Sequence, residues 1–365
     1  MRIFTYIQIF CINVLPFIFA FVGWLQANNK KRLLGPANNY IYIYYCFAIL
    51  LLALTPASYY DGSDKGRYMY DFDHISTIIQ EEHTKDIGWY YFMDICHFIT
   101  LGSSTLFFII TAIIFASSFY FFAKKHFNKQ YIGYILLMTM GLLGFSGYTN
   151  NVIRNGVAIA LCLFALSINT KWIKLLLAFI AYLIHGSVLI PIAAFLYTIF
   201  IKNNKIASII WLICLGLSLL NVNTSSLFDI FGGIDERVSN YAINQPSTDT
   251  LALYVKAGQF RWDFLIYSIV PLYIARIWKT KYAYNDKLYS RLLNIYLLCN
   301  ALWLLVIRQA YADRFAFLSW LMIPIITLYP ILKNNIKVRY PERTTYLIIS
   351  IFTGVNAIIY LSSII

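Results

Sequence analysis

The chain alternates long apolar stretches with short polar segments along its whole length. Most of the apolar stretches approach the roughly 20 residues that a helix needs to cross a bilayer. The candidate spans lie at about 3–25, 39–57, 98–123, 130–147, 152–168, 172–184, 187–201, 206–222, 263–278, 289–307, 315–332 and 345–363. The pattern predicts an all-α fold, a polytopic integral membrane protein with about 12 transmembrane helices (11 or 12), formed as a single membrane domain over residues 1–365.

The stretch from 172 to 201 permits two interpretations. It can form one long kinked helix, or two short helices joined by a break at the His-Gly-Ser sequence of residues 185–187. Lysines occur at both ends of the stretch. They favour two short helices, because both ends would then lie on the cytoplasmic side.

Composition supports the membrane class. Hydrophobic residues make up 60% of the 365 residues and charged residues 12%, whereas a soluble domain has about 25% charged residues. The six cysteines are scattered, and no Cys-x-x-Cys pair occurs. They are interpreted as packing residues and not as a disulfide or metal-binding set.

Basic clusters predict the orientation of the chain, because cytoplasmic loops retain Lys and Arg. This rule places the segments 26–38, 124–129 and 279–288 inside and both termini outside. Two large extracytoplasmic loops follow, over about 57–97 and 223–262. Cytoplasmic retention also accounts for most of the net charge of +13, which therefore does not indicate nucleic-acid binding.

Lysine and arginine separate across the membrane in this topology. The inner side holds 14 Lys and 5 Arg, whereas the outer side holds 3 Lys and 7 Arg. Orientation requires only positive charge, but arginine adds a planar fork that binds phosphate or carboxylate through two hydrogen bonds. The outer surface is therefore predicted to bind an oxyanion.

Arg154 is a leading candidate for that oxyanion site. It lies about one turn inside the outer end of the fifth span. A charge at the centre of a bilayer costs about 2.5–3.5 kcal/mol, so its presence requires a reason. Either Arg154 binds a lipid-linked phosphate at head-group depth, or it extends to the interface as a snorkelling arginine.

Four other outer arginines are candidates for binding the same oxyanion. They are Arg314, Arg308, Arg261 and Arg67. Arg314 ranks with Arg154, and it shares one short outer loop with Arg308. The alternative is that Arg314 forms a surface ion pair with Asp313.

His185 lies at the predicted helix break near the outer leaflet. Histidine accepts a proton near neutral pH, so His185 is a candidate general base. The structural alternative is a histidine that hydrogen-bonds backbone groups freed by the break. Asp64 in the first outer loop is a second candidate base.

Tyr70 and Asp73 in the first outer loop are candidate glycan-binding residues. Aromatic faces stack on sugar rings and carboxylates bind hydroxyl groups, although an interfacial belt of tyrosines would also explain Tyr70. The sequence contains no metal-binding spacing such as HExxH or an EF-hand loop. No metal and no cofactor are therefore expected.

Five short segments follow one another along the chain. They read GSDKGRYMY, DIGWYYFM, RNGVA, AYLIHGSVL and DRFAFL, within roughly residues 57–330. In this order they resemble the EpsG-type branch of the Wzy polysaccharide polymerases. Asp86 stands where that family more often has glutamate, and Asn155 and Val188 replace Gln and Ala.

The resemblance implies an activity at the outer face of a bacterial plasma membrane. Such polymerases transfer a glycan carried on undecaprenyl diphosphate onto the next lipid-linked repeat unit. The expected partners are the undecaprenyl-diphosphate-linked oligosaccharide donor and acceptor, membrane lipid and a chain-length regulator, and not nucleic acid. The product would be an O-antigen, a capsule or an exopolysaccharide.

Two other functions stay open. An O-antigen ligase would use the same donor with a different acceptor, and the order of the segments favours a polymerase. A flippase or other transporter is expected to place charges near the midplane and to show internal repeats. In this chain the charges gather at one face of the predicted membrane domain.

Overall fold

The computed structural model describes residues 7–8, 10–27, 34–58, 64–80, 86–222, 259–309, 312–333 and 336–362. Regular structure within these ranges is helical, and no strand occurs in them. The all-α prediction is therefore confirmed for this part of the chain. Most of the second predicted outer loop, over 223–262, lies outside the described residues.

The helices of the described residues are numbered in chain order. In chain order, after a π-helical turn at Phe10–Val14, they are α1 (Leu15–Gln26), α2 (Tyr40–Ala53), α3 (Asp64–Asp73), α4 (Ile75–Ile78), α5 (Ile87–Ile99), α6 (Ser104–His126), α7 (Ile132–Met140), α8 (Gly147–Asn150), α9 (Ile153–Ser167), α10 (Lys171–Ile184), α11 (Leu189–Phe200), α12 (Asn204–Leu219), α13 (Trp262–Thr280), α14 (Lys287–Leu305), α15 (Asp313–Trp320), α16 (Ile323–Leu332) and α17 (Pro341–Ser362). They form two compact units. Unit 1 contains Met1–Val188 and Leu328–Ile365, and unit 2 contains Leu189–Thr327.

Several of these helices are apolar enough for a membrane. Among the described residues, four helical segments are long and apolar enough to cross one: Ser104–His126, Lys287–Leu305, Asp313–Leu332 and Pro341–Leu361. Shorter apolar helices of 10–17 residues accompany them, and α9 and α12 are among these. The helices therefore indicate a membrane protein, while the count of about 12 spans stays a prediction.

The sequence around α6 explains where this helix begins and ends. The Ser103 side chain accepts a hydrogen bond of 3.4 Å from the Leu106 N–H, which caps the first turn. The last turn carries Lys124, Lys125 and His126, and positive charge there suits the helix dipole. In unit 1, α6 packs against α2, α7 and α9.

Two predicted span boundaries are wrong. The span predicted from 98 begins at Ser104, because Leu101 and Gly102 adopt positive φ angles that interrupt a right-handed helix. The span predicted over 130–147 ends early, at Met140, and a turn follows it.

The break within 172–201 is confirmed. The helix α10 ends at Ile184, a 3₁₀ turn occupies Gly186–Val188, and α11 begins at Leu189. His185 itself has an extended backbone, with φ −157° and ψ 120°. The helical hydrogen-bond pattern therefore stops at the histidine.

The first predicted outer loop, over 57–97, contains α3, α4 and most of α5. The helix α3 packs through aromatic rings on one face. Tyr68 meets Trp89 of α5 edge to face, with ring centroids 5.3 Å apart, and Phe72 stacks on Phe107 of α6 at 4.5 Å. These contacts hold α3 against the helices of unit 1.

Lys65 attaches α3 to the end of α2. Its Nζ donates hydrogen bonds to the carbonyls of Ala53 (2.8 Å) and Thr55 (2.9 Å), and it lies 4.6 Å from the ring centroid of Phe108. The C-terminus of a helix leaves carbonyls unpaired and favours positive charge. Burial lowers the pKa of the Lys65 amine to about 8.

A buried polar network connects the helices of unit 2. The Asn300 side chain accepts a hydrogen bond of 2.8 Å from Trp211 Nε1 and donates to Ser268 Oγ (3.1 Å) and Ser319 Oγ (3.0 Å). Trp320 Nε1 donates to the same Ser268 hydroxyl at 2.8 Å. Buried polar groups that pair across helices add specific contacts to apolar packing.

Candidate functional site

Asp86 is the N-cap residue of α5 and has an uncommon backbone conformation. Its φ is 53°, in the left-handed region, which aspartate and asparagine tolerate better than most residues. Its carbonyl accepts a hydrogen bond of 2.9 Å from the Trp89 N–H, which forms part of the first turn of α5. The carboxylate contacts groups outside this helix.

Gly88 allows α5 to approach α10 closely. A Cβ atom at this position would lie 2.8 Å from the Leu183 Cβ and 2.9 Å from the Leu183 carbonyl carbon, nearer than real Cβ atoms come. Leu183 is two residues before His185. The absence of a side chain at Gly88 therefore brings the start of α5 beside the end of α10.

The Asp86 carboxylate contacts three groups. Its Oδ2 lies 2.9 Å from Arg154 Nη1 and 3.8 Å from His185 Nδ1. Its Oδ1 accepts a hydrogen bond of 3.0 Å from the Gly186 N–H. We call Asp86, Arg154 and His185 the Asp86 cluster. Their side chains are 12%, 10% and 9% exposed, respectively.

Arg154 is the second residue of α9, where the helix dipole is unfavourable for a cation. The N-cap residue, Val152, has an apolar side chain and cannot cap the helix. The N-terminus of a helix attracts anions, and a guanidinium beside it strengthens that attraction. Asp86 supplies one anion.

Arg154 keeps donor capacity beyond its contact with Asp86. Its Nε is buried and has no hydrogen-bond partner among the described residues, and a guanidinium carries five N–H donors. Neither sequence interpretation of Arg154 included a carboxylate of the protein as its partner. The pair accounts for the burial of this charge and leaves N–H donors of the guanidinium unused by Asp86.

Tyr90 brings charges of α3 into the surroundings of the cluster. It lies within electrostatic reach of Arg154 and Asp86, and also of Arg67 and Asp71. Burial is the main reason that the pKa of the Tyr90 hydroxyl is raised; the two acids raise this pKa further and the two arginines oppose them.

The other candidates of unit 1 lie along α3. Arg67 Nη2 lies 3.9 Å from Asp64 Oδ1, one turn away. The Tyr70 ring stacks on the His74 ring with centroids 4.3 Å apart, and Tyr70 and Asp73 are exposed. Of the two candidate bases, Asp64 therefore pairs with Arg67, whereas His185 belongs to the Asp86 cluster.

In unit 2, Arg261 binds a neighbouring carboxylate through its fork. Its Nε and Nη2 lie 3.0 Å and 2.8 Å from the two oxygens of Asp263. The guanidinium also lies 3.5 Å from the ring centroid of Phe264. Stacking on a ring and a two-pronged carboxylate contact both fix its orientation.

Arg308 and Arg314 lie near the same part of unit 2. The Arg308 guanidinium is 5.1 Å from the ring centroid of Phe260, the residue before Arg261, and its Nε has no hydrogen-bond partner among the described residues. Asp313 is within electrostatic reach of both Arg314 and Arg261. Arg261 and Arg314 thus share Asp313 as a nearby acid, and Arg308 lies beside the ring of the residue that precedes Arg261.

The Asp86 cluster combines groups that can bind an anion and move a proton. Arg154 offers N–H donors, and His185 has a ring nitrogen, Nε2, on the side opposite to the Nδ1 that faces Asp86. Within the described ranges, no group of three or more His, Cys, Asp or Glu side chains could hold a metal ion.

Asp86 was not among the site residues predicted from the sequence. It stood out there only as part of a segment that resembles the EpsG type. The partners of Asp86 are distant in sequence, since Gly186 is 100 positions away. The available signal was an acid two residues before a glycine at a helix start, a pattern that is too short to indicate a contact.

A helical membrane protein with a buried cluster of acid, arginine and histidine is the class that fold and site define. The chain belongs to the EpsG family, whose model matches residues 41–364. No curated protein and no solved structure matches the chain. The resemblance to the EpsG type is thereby confirmed, and membership associates the chain with glycosyl transfer and exopolysaccharide-related polymerisation.

Proposed function

We propose that this protein is a polysaccharide polymerase of the Wzy type, in the plasma (inner) membrane of a bacterium. It transfers a glycan from undecaprenyl diphosphate onto the next lipid-linked repeat unit at the outer face. The observation that supports this most is the placement of His185 and the buried Arg154 around one carboxylate. Family membership supports the class of reaction.

The proposed reaction is a displacement at the anomeric carbon. An acceptor hydroxyl oxygen forms the new bond to that carbon, and the bond to the diphosphate oxygen breaks. His185 takes the hydroxyl proton at Nε2. The lipid diphosphate leaves with the electron pair, and Arg154 stabilises its developing charge through N–H donors in a water-poor site. This step requires no metal and no nucleotide cofactor.

Positioning supplies another part of the rate. Two lipid-linked substrates must be held at once, and well-oriented reactants can gain about 7–11 kcal/mol relative to a bimolecular reaction. Each substrate carries a diphosphate, so more than one cationic group is needed. Arg261, Arg308 and Arg314 of unit 2 are proposed to contribute to diphosphate binding, with Tyr70 and Asp73 of α3 proposed to contact the glycan.

A deletion strain tests the proposal. Loss of a polymerase should leave single lipid-linked repeat units and remove the long-chain ladder of the polysaccharide. A normal ladder, in a strain without a second polymerase, would contradict the proposal. The absence of repeat units outside the cytoplasmic membrane would favour a flippase, and polymer that is formed but not attached to its final acceptor would favour a ligase.

A further inference from the structure

The proposed reaction uses Arg154 and His185 but gives no role to the Asp86 carboxylate, which faces both of them. Its Oδ2 faces Arg154 at 2.9 Å and His185 at 3.8 Å, while the Gly186 N–H holds Oδ1 at 3.0 Å. These partners come from the start of α9, the end of α10 and the following turn. One carboxylate therefore connects three elements of unit 1.

An anionic ligand and Asp86 would interact with the same guanidinium. Carboxylate and phosphate oxygens accept the same N–H bonds from arginine. With Asp86 beside it, the charge of Arg154 is largely compensated before any ligand arrives, so an incoming anion gains less from it. The carboxylate thus lowers anion affinity, while its short contact with Nη1 fixes the direction of Arg154 and its charge faces the His185 ring.

We propose that Asp86 is the positioning residue of this site: it orients Arg154 and His185 for the reaction and competes with the substrate diphosphate for the Arg154 guanidinium. The inference rests on the proposed function for its turnover part only. Its binding part requires nothing but an anionic ligand at Arg154. For one substitution at Asp86, the binding part predicts a higher anion affinity and the turnover part predicts a lower rate.

Asp86→Asn separates the two effects. Asparagine has nearly the same shape, tolerates the left-handed backbone of Asp86, and can still accept the Gly186 N–H bond through its amide oxygen. It removes the negative charge that compensates Arg154 and faces His185. Diphosphate should therefore bind more tightly, by about tenfold if the affinity changes by one charged contact, while turnover falls by about ten- to a hundredfold.

The test uses the purified full-length protein in detergent. Farnesyl diphosphate is the binding probe, measured by titration calorimetry, and lipid-linked repeat units extracted from the deletion strain are the substrate for turnover. The matched control is Asp94→Asn, since Asp94 is an exposed acid on the same helix. It changes the net charge equally and should alter neither affinity nor turnover.

Asp86→Asn also leaves a buried cation uncompensated, so its folding requires a check. The double variant Asp86→Asn/Arg154→Gln removes both charges, and its melting temperature should exceed that of Asp86→Asn alone. Farnesyl diphosphate should raise the melting temperature of Asp86→Asn more than that of the wild type, and should have little effect on the double variant.

The outcomes distinguish this inference from the proposed function. If the wild type forms no polymer, the polymerase proposal fails, while the binding measurements still decide whether Asp86 competes with an anion. If Asp86→Asn binds farnesyl diphosphate no more tightly than the wild type, the competition for Arg154 is overturned. If it turns over at the wild-type rate, the positioning role is overturned. An effect of Asp94→Asn equal to that of Asp86→Asn would also overturn it.

Discussion

At the scale of single residues, Arg154 has a protein partner and spare donors at the same time. Nη1 lies 2.9 Å from the Asp86 carboxylate, and the buried Nε has no hydrogen-bond partner in the described part of the chain. A lysine at this position could keep the ion pair but would present a single ammonium group. The fork is therefore the property that distinguishes a diphosphate-binding residue from a merely buried cation.

Arg154→Lys should slow polymer formation by about ten- to a hundredfold, because a charged hydrogen bond contributes roughly 1.5–3 kcal/mol. Arg154→Ala should reduce the rate further, since it also leaves Asp86 uncompensated. Polymer formation by purified variants on extracted lipid-linked repeat units measures both effects. Arg276→Lys, at an exposed arginine on the predicted inner side, is the control. Near-normal polymerisation by both Arg154 variants would exclude Arg154 from the site.

At the scale of elements, the geometry of the site depends on how closely α5 approaches α10. Gly88 and the end of α10 before His185 bring the two helix ends together. The contacts of Asp86 follow from that approach. Packing of this kind is sensitive to one added methyl group, because protein interiors have little free volume.

Gly88→Ala should push α5 away from Leu183 and weaken the contacts of Asp86. Overpacking of this kind typically costs about 1–3 kcal/mol of stability, so we expect a lower melting temperature together with lower turnover. Gly216→Ala is the control, since a Cβ there has nothing within 4 Å. A Gly88→Ala protein with wild-type stability and turnover would show that the close approach is dispensable.

The sequence predicted elements better than contacts. Long apolar stretches located most of the helices but not α3, α4 and α5, which begin within the predicted loop 57–97. The His-Gly-Ser sequence located the break after α10. The turn at Leu101 and Gly102 was not predicted, because an apolar leucine cannot be distinguished by hydropathy from the residues of a transmembrane helix. The link from Asp86 to Arg154 and His185 could not be predicted, since it depends on the packing of helices that are distant in sequence.

At the scale of the whole molecule, the orientation in the membrane decides which solution the Asp86 cluster faces. The distribution of Lys and Arg predicts that 57–97 lies outside and 124–129 inside. Nothing in the packing of either unit depends on this assignment, so it requires its own measurement.

Single-cysteine labelling with a membrane-impermeant maleimide tests the orientation in a variant whose native cysteines are replaced. A cysteine at exposed Gln80 should react in intact cells, whereas one at exposed Lys125 should react only after permeabilisation. The reverse pattern would place the Asp86 cluster on the cytoplasmic side and contradict a polymerase that acts at the outer face.

Lys65 allows the attachment of α3 to the end of α2 to be measured by chemical labelling. Because burial lowers the pKa of Lys65 to about 8, below the usual value of about 10.4, detached α3 binds more protons than attached α3 between these pH values. Attachment should therefore strengthen as the pH rises from about 8 to about 10. Mass spectrometry of lysine acylation measures this, since a reagent reaches Lys65 only when α3 opens. The labelling rate of this one amine, relative to exposed Lys281, then reports how often α3 detaches from the other helices of unit 1.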